Sequence, residues 1–132
     1  MSHLTTVQMK ITEKELLKSA LQSLNLSFQE TKGDCIDVFM DTENEERKAI
    51  QFIPNEGVYT ASYDEWEINN FGVGDFWKNF SGQTLTKINK EYSKMLVLRE
   101  AEKLTPEYGQ YVLTEEEDQF KLSFPQMQSV GV

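Results

Sequence analysis

Over residues 5–11 the chain alternates, with Thr5, Val7, Met9 and Ile11 set against Thr6, Gln8 and Lys10, the period-2 mark of a half-buried strand. Thr12 and Glu15 stand at capping-box spacing, where a hydroxyl and a carboxylate each answer an N–H of the first helical turn. Behind them Leu16, Leu17, Ala20, Leu21 and Leu24 share one face of a helix expected to end near Asn25. After a polar connection through Lys32, Gly33 and Asp34, Ile36, Val38 and Met40 alternate with Cys35, Asp37 and Phe39. A second strand is expected over residues 49–53. The turn signal Pro54-Asn55-Glu56-Gly57 follows, and a third strand runs over residues 58–63 and on toward Ile68. These three read as an antiparallel meander.

Asn69-Asn70-Phe71-Gly72-Val73-Gly74 breaks the pattern. Asp75 is placed to cap a short turn at Phe76-Trp77-Lys78, and Ser81-Gly82 interrupts it. A long helix is predicted over residues 85–104, striped by Leu85, Ile88, Tyr92, Met95 and Leu96 and stopped by Pro106 and Gly109. Residues 111–114 and 120–124 close the chain as a hairpin around the acidic run Glu115-Glu116-Glu117-Asp118. The predicted order is β-α-β-β-β-α-β-β. The class is α+β, an antiparallel sheet with both helices packed on one face so that both apolar stripes are covered. One domain is expected over residues 1–124, with residues 125–132 as a loose tail.

Composition narrows the chemistry. Of 132 residues, 13 are Lys or Arg and 22 are Asp or Glu, giving a net charge of −9. Binding to nucleic acid is not expected, because phosphate contacts need clustered cations. Eight Phe, five Tyr and two Trp suffice to fill a core. With one cysteine, Cys35, an intramolecular disulfide is impossible, and one histidine, His3, excludes sites that need two. No secretory leader is read at the N-terminus, and no apolar run approaches the ~18–20 residues of a membrane span. A cytoplasmic protein is expected.

The opening Met1-Ser2-His3, continued by Leu4-Thr5-Thr6-Val7-Gln8-Met9-Lys10-Ile11, carries a resemblance. So do the Leu-rich helix ending at Leu24-Asn25-Leu26, Tyr92, the run Glu100-Ala101-Glu102-Lys103 and the closing hairpin with its acidic turn. In order and spacing the chain resembles the hypothetical chloroplast reading frame thirty-five family of cyanobacteria and plastids, also known as uncharacterised domain family twelve fifty-seven. The resemblance implies a protein without an assigned activity. Its relatives, often encoded near AAA-type ATPases, imply an accessory role beside such an ATPase or another assembly component. A plastid-encoded member would work in the stroma. Leu4 stands where the family usually has an aromatic, and the family's Trp-rich segment is represented here by Glu65-Trp66-Glu67-Ile68-Asn69-Asn70-Phe71-Gly72-Val73.

Candidate sites are few. His3 near Cys35 would be a minimal nucleophile–base pair, but a lone cysteine is ordinarily a small apolar side chain. The acidic clusters lack the spacing of a calcium loop and read as solvated turns. Gly72-Val73-Gly74 lacks the Lys-Ser/Thr of a phosphate loop. No catalytic residue, cofactor or metal is therefore assigned. The strongest signal is Trp66, Phe71, Phe76, Trp77 and Phe80, five aromatics within fifteen residues, rimmed by Glu65, Glu67 and Asp75. They suit a partner-binding surface, although the same residues serve as well to cover the open end of the sheet, the plainer reading. The leading expectation is a non-enzymatic binding or assembly module. The alternative is a small-molecule-binding domain or enzyme, with a pocket between long helix and sheet lined by Tyr59, Tyr63, Tyr92 and Cys35. A homodimer through the edge of the last strand, residues 120–124, is a further possibility.

Overall fold

In a computed structural model, which describes residues 4–77, 83–115 and 120–125, the alternating segments become one five-stranded antiparallel sheet. Its strands are β1 (Leu4–Gln8), β2 (Ser27–Glu30), β3 (Ile36–Met40), β4 (Arg47–Asn55) and β5 (Val58–Asp64), in the order β1-β5-β4-β3-β2. The register sets Ile36 opposite Phe52, Val38 opposite Ile50 and Phe52 opposite Ala61, so the buried residues share one face. On the opposite face the pairs Gln51–Ser62, Thr6–Ser62 and Gln8–Thr60 are polar. Helices α1 (Lys14–Ser23) and α3 (Gln83–Tyr108) bring Leu17, Ala20, Leu21, Leu85, Ile88 and Tyr92 onto the apolar face, in one core with the sheet. The class is α+β, as the patterning predicts.

Local chemistry explains the helix ends. Helix α1 closes in a Schellman arrangement: Asn25 takes φ 59°, its N–H bonds Gln22 O at 3.0 Å, and Leu26 N–H bonds Leu21 O at 3.0 Å. Its start differs from the predicted capping box. Glu13 occupies the N-cap, but its side chain makes no capping bond. The N–H groups of Thr12 and Glu13 are instead accepted by the hydroxyl of Tyr92, each at 3.2 Å.

Three elements depart from the periodicity reading. Strand β2 pairs with β3, yet it is four residues with one inward apolar side chain, Phe28, too short to alternate visibly. The third meander strand stops at Asp64, whose carboxylate accepts Glu67 N–H at 3.1 Å and starts helix α2 (Glu65–Phe71). The closing hairpin, β6 (Val112–Glu115) with β7 (Phe120–Ser123), forms its own two-stranded sheet. Length is the reason. The 26 residues of α3 span about 39 Å, whereas the longest strand, of nine residues, spans about 30 Å. The overhang is where Ala101 is buried outside the main core. The hairpin folds back along α3, with Tyr108 against Phe124 at 5.8 Å and Lys90 both paired to Glu115 and over the ring of Phe120. Strand β7 is therefore an edge strand of this small sheet, paired with β6 on one side and packed along α3. His3, Phe80, the Ser81-Gly82 interruption, most of the acidic hairpin turn and nearly all of the C-terminal tail lie outside the described residues.

Candidate functional site

The aromatic segment divides into two groups. Phe76 and Trp77 meet edge to face at 5.1 Å, and Trp77, 4% exposed, belongs to the core. Gly72 makes this possible, since a Cβ there would stand 2.8 Å from Ile68 O and 2.9 Å from Trp77 Cβ. The expectation that Trp77 is a partner contact is therefore corrected: the turn ending at Trp77 folds its indole inward beneath α2. Phe76 is half-buried, and its carbonyl accepts the Thr84 hydroxyl at 3.0 Å.

Trp66 and Phe71 point the other way. They are 48% and 40% exposed and meet edge to face with centroids 5.9 Å apart at 80°. Helix α2 sets this arrangement: Ile68 is buried as its anchor, which turns Trp66 and Phe71 outward at the two ends. Arg47, at the start of β4, lies with its guanidinium carbon 4.4 Å from the Phe71 centroid. Its Nη2 donates to Glu67 Oε1 at 2.7 Å, so the plane of the cation is held by a carboxylate on one side and a ring on the other. Beside it opens a cleft of about 420 Å³ between Phe71 and the loop that carries Glu43 and Glu45. Thr42 shapes that loop by accepting Asn44 N–H at 3.3 Å and Glu45 N–H at 3.1 Å. After α2 the chain is tied to the same loop through Val73 N–H to Asp41 O at 2.9 Å.

Of the predicted rim, Glu67 engages Arg47, Glu65 is exposed in the first turn of α2, and Asp75 is exposed in the turn before Trp77. The patterning did not single out Arg47. Its only sign in the sequence is the cation pair Arg47-Lys48 directly after Glu43, Glu45 and Glu46, and the fold alone brings Arg47 to Phe71.

Of the expected pocket residues, Tyr59 and Tyr92 are buried in the core between helix and sheet, while Tyr63, also largely buried, lines a groove of about 360 Å³ between β1 and α3. The Tyr59 hydroxyl donates to Asp34 O at 2.8 Å, and burial pushes the hydroxyls of Tyr59 and Tyr63 above the usual tyrosine range. Cys35 is partly exposed just before β3. Among the described residues, no three His, Cys, Asp or Glu side chains are grouped to hold a metal ion, and no helix is long and apolar enough to cross a membrane. Comparison with known protein families, curated proteins and solved structures finds no match for this chain.

Proposed function

We propose that this protein is a non-enzymatic protein-binding module whose docking surface is the outward face of α2 with Arg47. The observation that carries this reading is the exposed Trp66–Phe71 pair with Arg47 fixed over Phe71 by Glu67. Trp, Tyr and Arg dominate the energetics of protein interfaces because they are large, rigid and able to combine apolar contact with directed hydrogen bonds. Here two such side chains stand in the open, already ordered, so little conformational entropy is lost on docking. Glu43, Glu45 and Glu65 are exposed around them, on a chain of net charge −9. The complementary partner is a protein segment with an apolar side chain to seat against Trp66 and Phe71, flanked by Lys or Arg.

Membership of the hypothetical chloroplast reading frame thirty-five family is proposed with it, on the resemblance of the opening segment and the order of elements. An AAA-type ATPase or another assembly component is then the implied partner class, in a cytoplasm or plastid stroma. The test is affinity capture from the native host at moderate salt with the wild-type chain and with Trp66→Ala/Phe71→Ala. A stoichiometric partner held by the first and lost by the second, at unchanged melting temperature, supports the surface. Equal capture by both removes it.

A further inference from the structure

Strand β1 is a terminal strand of the sheet, and all five of its residues are exposed, Leu4 at 76% and Val7 at 36%. Its backbone directions follow from one bond. Met9 N–H is bonded to Tyr59 O at 2.9 Å, just past the registered pairs Val7–Ala61 and Thr5–Tyr63. Because antiparallel pairs alternate, Thr5 and Val7 turn their amide and carbonyl groups toward β5, while Leu4, Thr6 and Gln8 turn theirs to the edge that no other described strand covers. Natural sheets usually blunt such an edge with a charge, a proline or a bulge. The segment Leu4-Thr5-Thr6-Val7-Gln8 has no charge and no proline, and its register with β5 is continuous over these residues. The pairing shifts only beyond them, where Tyr59 O accepts Met9 N–H and Tyr59 N–H donates to Ile11 O.

We propose that β1 is a dimerisation strand, through which two copies of this chain pair antiparallel with Thr6 on the two-fold axis. In this register the outward groups of Thr6 meet those of the second copy's Thr6, and those of Leu4 meet the second copy's Gln8. Three mutually bonded pairs result, with no residue of the strand left over. On the core-facing side Val7 comes opposite the second copy's Thr5, and its exposed methyl groups are covered. A groove of about 360 Å³ runs along that side between β1 and α3, walled by Val7, Met9, Tyr63, Leu85 and Asn89. Beneath it, Asn89 Oδ1 is buried with no hydrogen-bond partner among the described residues.

Charge favours a second copy here over other places on the surface. On a chain of net charge −9, β1 is uncharged and, among the described residues, the sole charged side chain along its groove is Lys10, so no described carboxylates of the groove are brought face to face. The opposite edge, β2, ends in Glu30, which is engaged by Lys14 and Lys18. A contact of two five-residue strands is small. Interfaces under roughly 1,200 Å² are transient, so the dimer should form and separate with concentration.

Sedimentation of the full chain from low micromolar to millimolar concentration tests this. The expected result is a reversible monomer–dimer equilibrium that Thr6→Pro weakens by roughly tenfold or more. The proline removes an N–H that points outward and leaves the bonds to β5 in place. A crosslink checks the register independently. In a Cys35→Ser background, Thr6→Cys should form an intermolecular disulfide, since bonded antiparallel residues lie about 5.5 Å apart at Cα. Gln8→Cys should not, because two copies of residue 8 would be about 13 Å apart along the strands. A monomer at every concentration, a dimer indifferent to Thr6→Pro, or equal crosslinking at positions 6 and 8 overturns the proposal.

Discussion

Arg47 lies 4.4 Å above the ring of Phe71 while donating to Glu67 at 2.7 Å, so a strand residue and both ends of a helical turn are joined by one guanidinium. A stacked, forked cation is not replaceable by lysine, whose ammonium is a compact point charge. Arg47→Lys should therefore lower partner affinity roughly two- to fivefold, corresponding to about 0.5–1 kcal/mol for an exposed cation–π contact. A double-mutant cycle with Phe71→Leu checks it, with a coupling energy of that size expected.

The two tryptophans should behave oppositely. Trp66→Ala removes a half-exposed side chain and should cost about 1 kcal/mol of stability or less. Trp77→Ala opens a cavity in the core, where such truncations cost about 3–5 kcal/mol. Urea unfolding of both variants separates the roles of two residues eleven positions apart.

Tyr92 pins the chain where it enters α1. Its hydroxyl accepts the N–H groups of Thr12 and Glu13 from 80 and 79 residues away, at a side chain 1% exposed. Tyr92→Phe keeps the ring and leaves those donors unmet, so a loss of about 1–3 kcal/mol is expected. Amide exchange should quicken at Thr12 and Glu13 before it quickens in the sheet.

Glu13 also forms a two-pronged pair with Arg99, at 2.6 and 2.7 Å, and this holds its carboxyl below the ordinary value of 4.5. Above pH 4.5 the group is ionised folded and unfolded alike, and the pairing contributes fully. As pH falls below 4.5 the unfolded chain takes up the proton first, and that contribution is lost as pH falls through the lowered folded value. Glu30, lowered by Lys14 and Lys18, and Glu115, lowered by Lys90, act in the same direction. Glu13→Gln should flatten the acid side of the curve of melting temperature against pH, leaving less difference between pH 6 and pH 3 than in wild type (~3 pH units compared).

The sheet was legible because β3, β4 and β5 each bury one face, and burial on one face is what alternation records. Strand β1 was legible as an alternation although its residues are exposed, since Thr5 and Val7 still pair beside Tyr63 and Ala61. Helix α2 was not legible, because its start depends on a single Asp64 bond and its seven residues complete barely two turns. The aromatic segment could be found from composition. Its division into an outward pair at Trp66 and Phe71 and an inward pair at Phe76 and Trp77 depends on the close approach at Gly72, which no periodicity encodes. Arg47 was invisible for the same reason: its partners lie 20 and 24 residues away in sequence, joined only when β4 and α2 meet.

The most direct test of the central claim is comparative capture from the native host with wild type, Trp66→Ala/Phe71→Ala and the distant surface variant Glu56→Ala. The account predicts one stoichiometric partner retained by wild type and Glu56→Ala and lost by the double variant, with all three chains melting within about 2 °C of one another. Retention of that partner by the folded double variant would contradict it.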